Sequence, residues 1–127
     1  MPATNISMGK ALVLVVEDEP LLRMAAIDLV EEAGFQAIEA QNADEAIQLL
    51  ESRDDIRIIF TDVDMPAGSM NGLKLAAVVR DRWPPIEIII VSGHYGAKLE
   101  EMPEGALFFA KPYPHGEVIR AMRELAA

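Results

Sequence analysis

The chain has 127 residues, of which 51% are hydrophobic and 25% charged, as expected of one globular domain with its own core. It has no cysteine, which excludes a disulfide scaffold, a thiolate zinc site and a cysteine nucleophile. There is no apolar run of membrane-spanning length and no secretory signal, and the net charge of -10 disfavours unaided binding to nucleic acid. We therefore expect a cytoplasmic protein that contacts neither nucleic acid nor membrane directly.

Strand-like and helix-like segments alternate along the chain. Residues 1–9 are polar and predict a flexible tail, which leaves residues 10–127 as one domain. Short runs rich in β-branched residues predict strands at 11–16, 35–40, 56–61, 86–91 and 106–110. Helical spacing predicts helices at 20–33, 43–52, about 72–82 and 115–126, with a shorter one at 97–102. This alternation indicates an α/β fold, a doubly wound five-stranded parallel sheet with helices on both faces.

The first predicted helix has two apolar faces. The face expected to pack on the core comprises Leu22, Ala25, Ala26 and Leu29. The other face, which would be polar in an ordinary surface helix, comprises Pro20, Met24 and Ile27. This second face is either a scatter of exposed apolar residues or a docking surface for a partner helix.

Acidic residues directly follow two of the predicted strands. Glu17 and Asp18 come after the first strand, and Asp62 and Asp64 come after the third. If these strands are neighbours, their carboxyl ends meet, and the carboxylates disfavour one another's charge unless a cation lies between them. Oxygen ligands of this kind suit a hard divalent ion. The alternatives are an acid pair at a helix N-terminus and a turn aspartate.

Other polar residues follow the remaining strands. Ser92 and His94 come after the fourth strand, and Lys111 comes after the fifth, before Pro112. A bound cation, a hydroxyl and an ammonium are what a transferring phosphoryl group requires for positioning and neutralisation. Taken singly, Ser92 could be a turn or cap residue, and Lys111 and His94 could be surface residues.

From about Lys10 onward, the chain resembles the receiver domain of two-component response regulators. The motifs that carry the resemblance are Val16-Glu17-Asp18-Glu19, Thr61-Asp62-Val63-Asp64-Met65-Pro66, Ser92-Gly93 and Lys111-Pro112-Tyr113. Each motif is weak alone, but together and in this order they are specific. The resemblance implies the flavodoxin-like strand order 2-1-3-4-5, in which ligands bind at the carboxyl ends of the strands.

The resemblance also implies a role for each site residue. Asp62 would accept a phosphoryl group from a histidine kinase or a histidine phosphotransfer protein. The cofactor would be Mg²⁺, held by Asp18, Asp62, the backbone carbonyl of Asp64 and, through water, Glu17. Ser92 and Lys111 would bind phosphoryl oxygens. Phe108 lies at the position of the switch aromatic, although its apolar strand explains it fully and favours a core residue, and Asp64 and His94 would tune the rate of dephosphorylation. The bond between Lys111 and Pro112 is expected to be cis.

Some segments depart from the family pattern. The loop from Pro66 to Gly72 is longer than usual, and the stretch from Ser92 to Lys111 is short and contains Pro103, so the fourth helix is expected to be short or irregular. Pro114 replaces the polar cap often found before the last helix. Because nothing follows Ala127, we expect a stand-alone receiver, a monomer or phosphorylation-dependent dimer, that acts through a protein partner or as a phosphate relay or sink.

Three other functions compete with this one. A phosphohydrolase of the haloacid dehalogenase type would use Asp62-Val63-Asp64 as nucleophile and acid, but that family places the motif on its first motif strand. A flavodoxin would need a phosphate-binding loop after the first strand, where Glu17 and Asp18 would repel a phosphate. A receiver that only docks partners is disfavoured by the complete set of acids, Ser92 and Lys111.

Overall fold

The computed structural model describes residues 11–65, 70–93 and 99–127. The strands in this part of the chain are β1 (Leu12–Val16), β2 (Gln36–Ala40), β3 (Ile56–Asp62), β4 (Glu87–Ser92) and β5 (Leu107–Ala110). The helices are α1 (Pro20–Glu32), α2 (Ala43–Ser52), α3 (Gly72–Arg82) and α4 (His115–Ala126), with a one-turn 3-10 helix at Leu99–Glu101. Each described element lies within about a residue of its prediction, except that the part of the predicted helix 97–102 that the structure describes, from residue 99 on, holds only this short turn.

The five strands form one parallel sheet in the order β2-β1-β3-β4-β5. This order confirms the fold and makes β1 and β3 neighbours, so that the two acidic strand ends lie side by side. The register between them shifts after the pair of Leu12 and Ile56, where Arg57 is left without a partner in the ladder. Asp62 pairs with Val91, which places Ser92 at the same edge of the sheet.

Two hydrophobic cores lie on opposite faces of the sheet, because successive side chains of a strand alternate between faces. Leu12, Leu14 and Val16 of β1 pack in the core beneath α2 and α3. Val13 and Val15 point the other way, into the core beneath α1 and α4. All five side chains are buried, which explains why β1 reads as a continuous apolar run.

The helices begin in two different ways. Asn42 accepts a hydrogen bond from the Glu45 N–H at 2.8 Å, and Asn71 accepts one from the Lys74 N–H at 2.9 Å, so both side chains cap a helix. Glu45 accepts a hydrogen bond from the Gln41 N–H at 3.0 Å, one residue before the Asn42 N–H that a capping box would use. The cap positions of α1 and α4 have no side-chain hydrogen bond, and for α4 this is expected because its cap residue is Pro114.

None of the described helices is long and apolar enough to cross a membrane.

The prediction of which α1 residues are buried is partly wrong. Ala26 and Leu29 are buried as expected, but Leu22 is 48% exposed and Ala25 is also exposed, while Val30 takes a core position. The helix meets the sheet only along its later turns, so its first turns leave their apolar side chains uncovered. In α3, similarly, helical spacing predicts Ala77 as a core position, but Ala77 is exposed and Leu75 is buried instead.

Several predictions fall outside the described residues. These are the N-terminal tail at 1–9, most of the long loop before α3, and His94.

Candidate functional site

Three carboxylates converge at the carboxyl edge of the sheet. Glu17 and Asp18 directly follow β1, and Asp62 is the last residue of β3. One carboxylate oxygen from each of the three lies within 4.8 Å of the other two. Glu17 and Asp62 are buried, whereas Asp18 is exposed. The strand order therefore brings together the acids that the sequence placed at separate strand ends.

Lys111 reaches the same group of acids from the end of β5. Its Nζ lies 3.2 Å from Asp62 Oδ2 and 3.3 Å from Glu17 Oε1. Its backbone N–H donates to the Ser92 carbonyl at 2.8 Å, and the following bond to Pro112 is cis, as expected. One lysine thus bridges two buried carboxylates, which leaves the cluster of Glu17, Asp18 and Asp62 with excess negative charge.

The pKa values of the buried groups follow from this imbalance. Burial raises the pKa of Asp62 and of Glu17, and the pull of Lys111 on each carboxylate does not reverse that effect. Burial alone would lower the pKa of Lys111, but the carboxylates of Asp62 and Glu17 outweigh it and raise that pKa. The ammonium is therefore held in its charged form while its two partners are costly to ionise.

One oxygen of the Asp62 carboxylate has no hydrogen-bond partner among the described residues. Oδ2 faces Lys111, whereas Oδ1 is buried and accepts no hydrogen bond from any side chain or backbone group of the described residues. A buried acceptor without a partner is costly, and a cation bound among the three carboxylates would satisfy it. The donor set, all carboxylate oxygen, fits a hard divalent ion. These residues can hold a metal ion.

The remaining predicted site residues lie around this centre. Ser92 ends β4 and is fully buried, and Asp64 lies two residues beyond Asp62 with its side chain exposed. Phe108 is in β5 opposite Ile90, where it is half-buried and packs on the core beneath α2 and α3. His94 lies outside the described residues, so its place near the site stays a prediction.

An apolar cavity of about 360 Å³ opens beside the acids. Leu22 and Ala25 of α1 line one side, and Tyr113 and His115, whose rings stack with centroids 5.9 Å apart, line another. Glu17, Asp62 and Lys111 also line the cavity. Burial raises the pKa of Tyr113, so its hydroxyl stays protonated. Tyr113 was predicted only as part of a motif, and the cavity was not predicted because helical spacing placed Leu22 and Ala25 in the core.

Two further residues support the site and were missed. A Cβ on Gly72 would overlap the Asp62 carbonyl, and the Gly72 N–H donates to the Val63 carbonyl at 2.9 Å, so the start of α3 presses against the end of β3. Arg23 donates to the Glu17 carbonyl at 3.0 Å. The available signal was a cation in the first turn of α1, where the helix dipole disfavours one.

Comparison with known proteins agrees with this geometry. Residues 13–123 match the model of the family described as "Response regulator receiver domain". Among curated proteins, the chain is 32% identical over 127 residues to the sensor kinase CckA of Brucella abortus and 31% identical over 121 residues to the response regulator protein FleR of Pseudomonas aeruginosa. These alignments cover 97% and 92% of the chain, but only 13% and 24% of the two relatives, so the chain spans a small part of their length.

Solved receiver structures show the same fold. A response regulator receiver protein from Sinorhizobium medicae superposes with a TM-score of 0.85 at 24% identity, covering 93% of this chain and 95% of that one. The response regulator protein TrrA from Thermotoga maritima, solved in complex with Mg²⁺-BeF, has a TM-score of 0.79 at 22% identity, covering 91% and 98%. The family match gives no support to the phosphohydrolase alternative. From its matched residues, strand order and converging acids, the chain belongs to the response regulator receiver domain family of two-component signalling.

Proposed function

We propose that residues 10–127 form a phosphorylation-controlled signalling switch whose phosphoacceptor is Asp62. The observation that carries this proposal is the Asp62 carboxylate itself. It is buried between two acids and a lysine, and its Oδ1 atom has no partner among the described residues. A carboxylate that only stabilised the fold would be paired at both oxygens or exposed to water. This one is available to bind a metal ion and to react.

In the proposed reaction, a carboxylate oxygen of Asp62 attacks the phosphorus of a phosphohistidine. The bond from phosphorus to oxygen forms as the bond from phosphorus to the imidazole nitrogen breaks. The nitrogen keeps the bonding electron pair and takes up a proton from solvent, which leaves an acyl phosphate on Asp62. The Lys111 ammonium, 3.2 Å from Asp62 Oδ2, and the Ser92 hydroxyl at the end of β4 would bind the new phosphoryl oxygens.

The cofactor that fits the cluster is Mg²⁺, which when bound would neutralise charge on the carboxylate and phosphoryl oxygens. We assign Asp18 and Asp62 as direct ligands, with Glu17 acting through water and the Asp64 backbone carbonyl completing the set. Support comes from the three oxygens within 4.8 Å of one another and from TrrA, a structural relative solved with Mg²⁺-BeF. Phosphorylation would change the charge at Asp62, and we propose that this change shifts Phe108 in β5, the switch residue, between two states. Asp64 and His94 are proposed to set the phosphoryl lifetime.

The experiment is phosphorylation with acetyl phosphate and Mg²⁺, read by intact mass. We expect the wild-type chain to gain one phosphoryl group that is lost in alkali, and Asp62→Asn to gain none. Asp55→Asn is the matched control, because Asp55 is an exposed aspartate paired with Arg53. Equal labelling of Asp62→Asn and wild type would contradict the proposal. Catalytic hydrolysis of many phosphate esters would favour a hydrolase instead.

Receiver domains interact with histidine kinases or phosphotransfer proteins, and we propose that such a partner docks on α1. The exposed apolar residues at its start are Leu21 (73%), Leu22 (48%) and Met24 (60%), which we call the α1 patch. The α1 patch continues into the cavity beside Asp62, so a helix carrying the donor histidine would cover it while presenting the histidine to the acids. Of the predicted docking residues, Met24 is exposed and Ile27 is half-buried.

Replacing Met24 with Gln tests the docking site separately from the chemistry. We expect slower phosphoryl transfer from autophosphorylated histidine kinases, but unchanged labelling by acetyl phosphate, which needs no protein surface. Equal transfer rates for wild type and Met24→Gln would contradict docking at the α1 patch.

We propose that the phosphorylated chain signals in the cytoplasm, to a protein partner or along a relay. A net charge of -10 opposes direct contact with nucleic acid.

A further inference from the structure

Arg23 makes two side-chain interactions that its place in the helix does not explain. It lies in the first turn of α1, where the helix dipole disfavours a cation. Its side chain is only 18% exposed, with Nε 2.8 Å from Glu39 Oε1 and Nη1 donating to the Glu17 carbonyl at 3.0 Å. One guanidinium therefore joins the end of β1 to the edge strand β2.

The segment 17–19, which carries two of the three clustered acids, is held at both ends. At its start, the Glu17 N–H donates to the Ala40 carbonyl at 3.1 Å, and Arg23 binds the Glu17 carbonyl. At its end, the Glu19 N–H donates to Glu17 Oε2 at 3.2 Å, and the Glu19 carbonyl accepts from the Arg23 N–H at 2.8 Å. The last of these bonds comes from the helix backbone, as it would with any residue at position 23, so the Arg23 side chain holds the start of the segment.

Asp18 is the member of the cluster that most needs such support. Its side chain is exposed, so no packing fixes it, and its position follows from the backbone of the segment 17–19. We infer that Arg23 is a positioning residue that fixes this segment so that the Asp18 and Glu17 carboxylates meet Asp62 at the metal site. The inference rests on the proposed function, because it assigns Arg23 a part in Mg²⁺ binding.

The direction in which the Mg²⁺ affinity changes when Arg23 is replaced distinguishes positioning from simple electrostatics. A guanidinium close to a cation site repels the cation, so removing its charge alone would strengthen Mg²⁺ binding. Loss of positioning would weaken it, because the ligands would no longer be held in one arrangement. Loss of a group that orients metal ligands typically costs 10- to 100-fold in affinity.

The experiment is calorimetric titration with Mg²⁺ of the wild-type chain and three variants. We expect the Kd to rise about tenfold in Arg23→Ala. It should also rise in Arg23→Lys, which keeps the charge but lacks the planar fork that makes both bonds. Arg123→Ala is the matched control, because Arg123 also donates to a backbone carbonyl, that of Ala33 at 3.0 Å, but at the far end of α1. Its Kd should equal that of wild type.

Amide hydrogen exchange provides a second measurement that needs no metal. We expect faster exchange of the Glu19 N–H in Arg23→Ala, with unchanged protection of the β3 amides showing that the fold is intact. An unchanged or lower Kd together with unchanged exchange at Glu19 would overturn the inference while leaving the proposed function in place. No Mg²⁺ binding by the wild-type chain would overturn the metal site of the proposed function and the inference with it.

Discussion

Charged residues collect at both edges of the sheet, and two ion pairs at the amino edge are exposed to solvent. Arg53 donates to both carboxylate oxygens of Asp55, at 2.9 and 2.8 Å. Arg82 forms an ion pair with Glu51 at 2.9 Å, and all four side chains are exposed. The hydrogen bonds from Arg53 lower the pKa of Asp55, so the folded chain favours its ionised form.

At the carboxyl edge, by contrast, two of the charged groups are buried. Glu17 and Asp62 are buried, and burial raises the pKa of both despite their contact with Lys111. The pKa of a carboxyl group is therefore lowered where pairing dominates and raised where loss of solvent dominates. The raised carboxylate pKa values lie at the edge where a bound cation would relieve the cost of ionisation, which is a physical reason to locate function there.

The largest effect should come from filling the space between α3 and β3. In Gly72→Ala the new methyl group would overlap the Asp62 carbonyl, and the backbone must move to relieve it. We expect the free energy of unfolding to fall by about 2–3 kcal/mol, the usual cost of overpacking.

Urea denaturation checks this prediction against Gly116→Ala. Gly116 has open space around its Cβ position and lies in α4, where alanine is the better helix former. That control should be neutral or slightly stabilising, and an equal loss in both variants would contradict the steric explanation.

Next in size is stabilisation by Mg²⁺, which distinguishes the two edges directly. An ion that binds only the folded chain at ten times its Kd adds about 1.4 kcal/mol to the free energy of unfolding. Thermal melts should show this gain in the wild-type chain and in Asp55→Asn, but not in Asp18→Asn. If Asp18→Asn were stabilised as much as wild type, the clustered acids would not be the binding site.

Neutralising one acid at each edge should shift stability in opposite directions. Asp62→Asn removes a charge whose burial raises its pKa and leaves Lys111 its contact with Glu17, so we expect the metal-free chain to gain stability. Asp55→Asn removes a paired, exposed charge and should cause a small loss. Denaturation without divalent ions measures both, and a loss in Asp62→Asn would mean that its ion pair outweighs the cost of burial.

The smallest effect is a pH dependence with a definite sign. The pKa values of Asp62 and Glu17 are raised from ordinary values of 3.8 and 4.5, so the folded chain binds these protons more readily than the unfolded chain. Their contribution is complete below the ordinary values and is lost as the pH rises through the folded-state values. Asp55, whose pKa is lowered, contributes stability that is lost as the pH falls.

We therefore expect the metal-free chain to lose stability as the pH rises through the raised values. The overall negative charge produces the same trend, so the test is the difference from the double variant Glu17→Gln with Asp62→Asn. That variant should show a shallower slope in denaturation measured at several pH values. Parallel slopes would contradict the role of these two groups.

Much of the fold was predictable from local patterns. Five apolar runs predicted five strands, and asparagine is a favoured cap residue, as Asn42 and Asn71 are at the starts of α2 and α3. The clustering of Glu17, Asp18 and Asp62 was also predictable, because parallel strands bring their carboxyl ends to one edge. Strand order and individual roles required the resemblance to receivers, since no spacing in one sequence states which strands are neighbours.

Helical spacing did not predict burial correctly where burial depends on which other element packs against the helix. Leu22 has the spacing of a core residue, yet it is exposed because nothing in the described chain covers the first turns of α1. Arg23 and Gly72 were missed because each is explained by a contact with a strand end, which no spacing along its own helix shows. Strand positions and the acids that follow them are local properties, which the sequence alone determines. The exposed α1 patch, the lack of a partner for Asp62 Oδ1 among the described residues, and the bonds from Arg23 to Glu17 and Glu39 depend on how the elements pack, so only the tertiary structure decides them.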